Sequence, residues 1–152
     1  EETGCAGVVV GRGCLGRPWL FADLVSAFNG ETTRKNPSLF EVREIMFRHG
    51  ELLVEFFESE DRAMRDLRKH MAWYLKGFAV PRELRSQFGM VSTLSELRNL
   101  INQLVDQPYP EAVANLPRGR NSHGRPVSLP AGWLDDPYEI PAITIDDSVS
   151  GG

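Results

Sequence analysis

The chain has 152 residues, which allows one domain, or one small domain with appendages at both ends. With 41% hydrophobic and 25% charged residues it has the composition of a globular protein with a core, which excludes a fibrous or low-complexity chain. The formal net charge of −4 argues against a nucleic-acid partner only if the charge is spread evenly, so its distribution has to decide.

Cys5 and Cys14 make no disulfide framework and lack the spacing of a metal site, so reduced thiols, no metal and a cytoplasmic location are expected. No apolar run approaches the roughly 20 residues of a membrane helix. Glu1-Glu2-Thr3-Gly4 has neither the basic start nor the apolar core of a signal peptide. It leads directly into a strand-like run, and the expectation is a boundary cut inside a larger fold.

That run, Cys5-Ala6-Gly7-Val8-Val9-Val10, is continuous, apolar and partly β-branched, the pattern of a strand covered on both faces. Such a strand belongs in a parallel sheet, and one strand cannot make a sheet. A glycine-rich turn follows and enters a helix near Pro18, which Asn29-Gly30 ends. Ser38 with Glu41 three residues on is a capping box for a second helix, to about Glu58. Asp61 is expected to cap a third, from about Arg62 to Lys76, closed by Gly77. Shorter helices are expected near Pro81–Gln87 and Thr93–Val105. From Leu116 the Pro- and Gly-rich sequence predicts an irregular tail, with Trp133 and Tyr138 available to pin it.

The expected architecture is therefore mainly α. A bundle of four to five helices (31–115) follows a βα remnant (1–30) and precedes the irregular tail (116–152).

Two segments carry chemistry. In Gly11-Arg12-Gly13, at the C-terminal end of the expected strand, glycines permit close backbone approach to an anion and Arg12 adds a charge-assisted bond. The spacing fits neither a dinucleotide fingerprint nor a Walker loop. On spacing alone, a tight turn needing glycine for backbone reasons explains it equally well.

The second segment is the third helix. At 100° per residue Met64, Leu67, Met71, Tyr74, Leu75 and Phe78 share one side. Arg62, Arg65, Lys69, Trp73 and Lys76 share the other, with Arg68 and His70 on the flanks. Five of the 17 Lys and Arg residues lie within Arg62–Lys76, with Asp66 the one acid among them. A phosphate backbone requires such an excess, and Trp73 offers a surface on which a base stacks. The plainer reading is a solvated face with Trp73 packed on a neighbour.

Val9-Val10-Gly11-Arg12-Gly13, continuing through Gly16-Arg17-Pro18-Trp19-Leu20-Phe21, resembles the last strand and loop of the barrel in bacterial tRNA-dihydrouridine synthases. Arg68-Lys69-His70-Met71-Ala72-Trp73-Tyr74-Leu75-Lys76-Gly77 resembles a signature of the same family's helical domain. The resemblance runs from about Cys5 to Val105. It implies an oxidoreductase that reduces specific uridines of tRNA with FMN recharged by NADPH. Gly11, Arg12 and Gly13 would then hold the FMN phosphate. Arg62, Arg65, Arg68, Lys69 and Lys76, with His70 and Trp73, would face tRNA. Neither cysteine matches the family's catalytic loop, so the chain by itself is expected to be inactive, with no catalytic residue; a monomer is expected. The rival readings are a non-enzymatic helical module that binds protein, and a different FMN barrel enzyme sharing only the phosphate turn.

Overall fold

A computed structural model describes residues 4–114, 116 and 118, all within the unit Glu1–Ser122. The expected tail, with Trp133 and Tyr138, otherwise lies outside the described residues. A 3-10 turn at Arg12–Cys14 precedes helices α1 (Leu20–Phe28), α2 (Leu39–Phe57), α3 (Glu60–Tyr74), α4 (Arg82–Phe88), α5 (Leu94–Ile101) and α6 (Glu111–Ala114). The fold is mainly α, as the sequence predicts, and no strand occurs among the described residues.

α2 starts where the capping box predicts: the Glu41 amide donates to Ser38 Oγ, and the Ser38 amide donates to a Glu41 carboxylate oxygen at 2.8 Å. It stops at Glu58, whose φ of 50° breaks the helical path. Ser59 then caps α3 by accepting from the Arg62 amide, so the cap lies two residues before the Asp61 expected. Asp61 instead contributes negative charge inside the first turn, favourable against the helix dipole. A joint of only two residues makes α2 and α3 the most extensively packed pair of helices among the described residues.

The core lies between α2, α3, α4 and α5. Leu39, Val42 and Met46 meet Ala63, Met64 and Leu67, and Phe88, Val91, Leu97 and Ile101 close the other side, all fully buried. Gly50 admits α5, because a Cβ there would sit 3.0 Å from Leu94 Cδ2 and 3.1 Å from Leu97 Cδ2. α5 opens at Thr93 as expected, with the Glu96 amide donating to Thr93 Oγ1. It ends at Ile101 rather than at Val105.

Two further expectations are corrected. α3 ends at Tyr74, and Leu75–Gly77 form a turn in which Gly77 has φ +87°. Arg85 secures that turn from α4, donating to the carbonyls of Leu75 and Phe78. Cys5–Val10 forms no strand, and Cys5 to Val9 are exposed, Val9 completely. A strand exists through ladder bonds to a neighbour, and apolar β-branched residues supply only the propensity. Of the expected βα unit, the helix α1 is present and the strand is not.

Candidate functional site

The glycine-rich segment forms a compact knot built on arginine and glycine. Arg17 Nε donates to Gly13 O at 2.6 Å and Arg17 Nη1 to Ala114 O at 2.7 Å, which fastens the turn to α6. Gly11, Arg12 and Gly13 stand at the outer edge. Arg12 is exposed, and a Cβ on Gly11 would meet nothing within 4 Å. Gly16 is the opposite case. It is buried with φ +66°, and a Cβ there would lie 2.3 Å from the carbonyl carbon of Trp73. Only glycine allows that approach. The two segments singled out in the sequence therefore touch, backbone to backbone, at the end of α3.

The same point is held from a third direction. Arg118 is buried and donates through Nη1 to Trp73 O at 3.1 Å and through Nη2 to Tyr109 Oη at 2.8 Å. Tyr109 in turn meets Trp19 and Phe78 edge-on, at 5.7 and 5.9 Å between ring centroids. Sequence reading gave Tyr109 and Arg118 no role, and neither stands in a motif or a periodic stripe. Their importance comes from chain reversal over long separations.

α3 sorts as its period predicts. Met64, Leu67, Met71 and Tyr74 are buried, as are Leu75 and Phe78 beyond the helix. Arg62, Arg65 and Lys69 are exposed. Arg62 lies over the Phe57 ring at 5.2 Å, Arg65 pairs with Asp61 at 3.1 Å, and Lys69 pairs with Asp66. Together with Phe57 and Asp66 they border a shallow depression. Arg68 points elsewhere: Nε donates to Val91 O at 2.7 Å and Nη2 to Ser92 Oγ at 3.1 Å, which ties α3 to the joint between α4 and α5. Lys76 and Trp73 are half-buried at the end of the helix.

On the other flank His70, Trp73 and His49 form a row. His70 meets Trp73 at 5.4 Å and His49 at 4.8 Å, and His49 Nδ1 is 3.1 Å from Tyr74 Oη. Burial pushes both imidazoles below their ordinary pKa; the neighbouring His70 lowers His49 further, and Asp66 opposes the shift in each. Burial also pushes the Tyr74 phenol up to about 12. His49, His70 and Tyr74 line a hollow of about 420 Å³ between α2, α3 and the glycine turn. No cluster of potential metal ligands occurs among the described residues.

Fold and surface define a mainly helical protein in which a glycine-rich turn is locked against the end of a helix that carries a ridge of basic side chains. The dihydrouridine synthase (Dus) family model matches residues 1–113. A probable tRNA-dihydrouridine synthase of Mycobacterium leprae is 52% identical over 152 residues, 99% of this chain and 39% of the relative. One from Mycobacterium tuberculosis H37Rv is 51% identical over 153 residues, 100% of this chain and again 39% of the relative. One from Rhodobacter capsulatus is 32% identical over 105 residues, 68% of this chain and 32% of the relative.

The chain belongs to the dihydrouridine synthase family. It spans 39% of the length of the mycobacterial relatives. Their similarity continues past residue 113, where the family model ends, into a tail that sequence reading could match to nothing. No helix among the described residues is long and apolar enough to cross a membrane.

Proposed function

We propose that this chain is the tRNA-gripping part of a tRNA-dihydrouridine synthase, with residues 31–115 as its RNA-binding domain. The observation that best supports this is the ridge of Arg62, Arg65 and Lys69. Three exposed cations project from two turns of one helix in a chain of net charge −4. Among the described residues their side chains interact with near neighbours, Arg62 with Phe57 and the other two with exposed or half-exposed acids. Contacts of that kind yield to phosphate at little cost. Arg68 supports the ridge from behind by fixing the helix on which the ridge stands. Lys76, Trp73 and His70 flank its far end.

The parent reaction in this reading reduces the C5–C6 bond of specific uridines in tRNA. FMN, when bound, supplies the hydride chemistry, and NADPH restores it. The glycine turn suits the phosphate end of that cofactor. Gly11 leaves open space above its Cα, and Arg12 is exposed with no ion pair among the described residues. Cys14 Sγ donates to Gly11 O at 3.2 Å within the turn, and Cys5 is exposed upstream of it. Neither is assigned the protonation step, so this chain alone is expected to form no dihydrouridine.

The exposed apolar residues Val25 (61%) and Phe28 (70%) of α1 favour a protein surface packed over that helix. In the family reading that surface is the rest of the flavin barrel. In the rival reading it is a separate partner protein.

A gel-shift titration with unmodified bulk tRNA tests the main proposal. Wild type should bind in a salt-sensitive way. The triple variant Arg62→Ala, Arg65→Ala, Lys69→Ala should bind more weakly, its salt slope shallower by about 2 to 3. Binding by the variant equal to wild type would remove the ridge from the interface, and no binding by either protein at low salt would favour the protein-partner reading.

A further inference from the structure

We infer that the hollow between α2, α3 and the glycine turn receives an unstacked nucleobase of an RNA strand lying on the basic ridge of α3. The inference rests on the RNA-binding reading and adds to it a place for one base.

The hollow of about 420 Å³ lies within the range of roughly 300–1,000 Å³ usual for small-ligand sites. Pro18 and Phe21 line it from the turn and α1, Ile45 and Leu52 from α2, and the imidazoles of His49 and His70 line its polar end. Apolar walls with a few converging polar groups suit a flat heteroaromatic ring. No described cluster suits a metal. Burial disfavours the charged form of both imidazoles, which suits an uncharged base at that end better than a phosphate. His49 Nδ1 is engaged with Tyr74 Oη, which fixes the ring and leaves Nε2 without a hydrogen-bond partner among the described residues.

The surroundings select RNA as the source. At 100° per residue the side chains pass around α3 from Lys69 through Trp73 and Asp66 to His70 and then Tyr74, from the cationic ridge over aromatic surface into the hollow. Trp73, His70 and His49 are in consecutive edge contact along this path, at 5.4 and 4.8 Å. Cations that track a backbone beside aromatic rings on which bases stack are the ordinary construction of a single-strand site. Exposed Arg48, held by Glu51 at 3.1 Å, adds a cation to the rim on the α2 side. A protein side chain would fill the apolar walls equally well but would have no use for the cationic approach.

The test uses the full chain and two probes, a short oligouridylate and an abasic strand of equal length. Leu52 is 46% exposed, so Leu52→Trp fills the hollow from its rim without disturbing the core. Wild type should bind the oligouridylate about tenfold more tightly than the abasic strand, the scale of one stacked base. Leu52→Trp should bind both strands alike, with the salt slope unchanged, because no phosphate contact is lost. The His49 and His70 imidazole resonances of wild type should shift with the oligouridylate and not with the abasic strand.

Equal, salt-sensitive binding of both strands by wild type would overturn the inference and leave the RNA reading standing. Failure of either strand to bind at low salt would overturn both. Saturable imidazole shifts with uridine monophosphate at the same concentrations as the oligomer would make the hollow a free-nucleotide site and overturn the RNA source. If Leu52→Trp melts early, the two-strand comparison and the imidazole shifts on wild type decide the matter alone.

Discussion

α3 and α1 carry apolar stripes of similar clarity, and the fold treats them in opposite ways. On α3 the stripe is covered: Met64 and Leu67 are fully buried and Met71 nearly so. On α1 no residue is buried, and Phe21, Val25 and Phe28 keep about half or more of their surface in solvent. Periodicity reveals which face of a helix seeks cover. It does not reveal whether the same chain supplies that cover. Only area removed from water stabilises, so the two stripes should differ sharply in their contribution.

That contrast is open to a direct test by urea titration. Leu67→Ala should lower stability by about 2–5 kcal/mol, the usual cost of removing a fully buried Leu side chain. Phe28→Ala should change it by no more than about 0.5 kcal/mol, because little of the ring is covered. An equal loss at both sites would mean that α1 is covered in solution, and the comparison would collapse.

The glycine turn offers a second contrast within a single segment. Gly16→Ala forces a Cβ to within 2.3 Å of the Trp73 carbonyl carbon at a φ of +66°. The turn must move away from α3, for a loss of about 1–3 kcal/mol. Gly11→Ala meets nothing within 4 Å at a φ of −85° and should change stability by less than about 0.5 kcal/mol. Hydrogen exchange of the amides around Gly16 distinguishes local undocking from global loss. Faster exchange there in Gly16→Ala, with α2 still protected, is expected.

A smaller effect separates the two flanks of α3. Burial lowers the pKa of His49 and His70 from 6.5, so the unfolded state takes up protons first as acid is added. The stability present above pH 6.5 should therefore decline as the pH falls from 6.5 through the lowered values, and then level off with respect to these two groups. His70→Gln should flatten that part of the curve, whereas a change on the cationic flank should not. Both rings are partly exposed, so the slope should be modest. Thermal melts from pH 7.5 to pH 5 in constant salt read it.

Much of this was legible in sequence because it was local. Ser38 with Glu41, Thr93 with Glu96 and the stripe on α3 are short-range patterns, and the structure contains all three. The strand at Cys5–Val10 was misread because an apolar β-branched run reports propensity, while a strand depends on a partner. Ser59 was missed as the cap because Asp61 offered an equally good oxygen, and the tight joint after Glu58 decided between them.

In the candidate site, the identity of the cationic ridge could be read from helical spacing alone. The inward turn of Arg68 to Val91 and Ser92 could not, since it depends on where the joint between α4 and α5 arrives. The same limit hid Gly16, Tyr109 and Arg118. Their roles exist only through contacts far along the chain, with Trp73 in two of the three cases.

The smallest effect on stability is expected at Arg65, and it is the most informative about the ridge. Arg65 and Asp61 pair at 3.1 Å with 69% and 65% of their side-chain surfaces in solvent. An exposed pair one helical turn apart gains little in high dielectric and gives up side-chain freedom, so Arg65→Ala and Asp61→Asn should each alter stability by about 0.5 kcal/mol or less. Their effects on tRNA binding should have opposite signs. Arg65→Ala removes one phosphate contact, which weakens binding and reduces the salt slope by about 0.9. Asp61→Asn releases the guanidinium from its competitor and removes a negative charge from the approach, so binding at low salt should tighten, and the gain should fade as salt rises. If the two variants bind tRNA alike, Arg65 stands outside the contact surface, and the ridge reduces to Arg62 and Lys69.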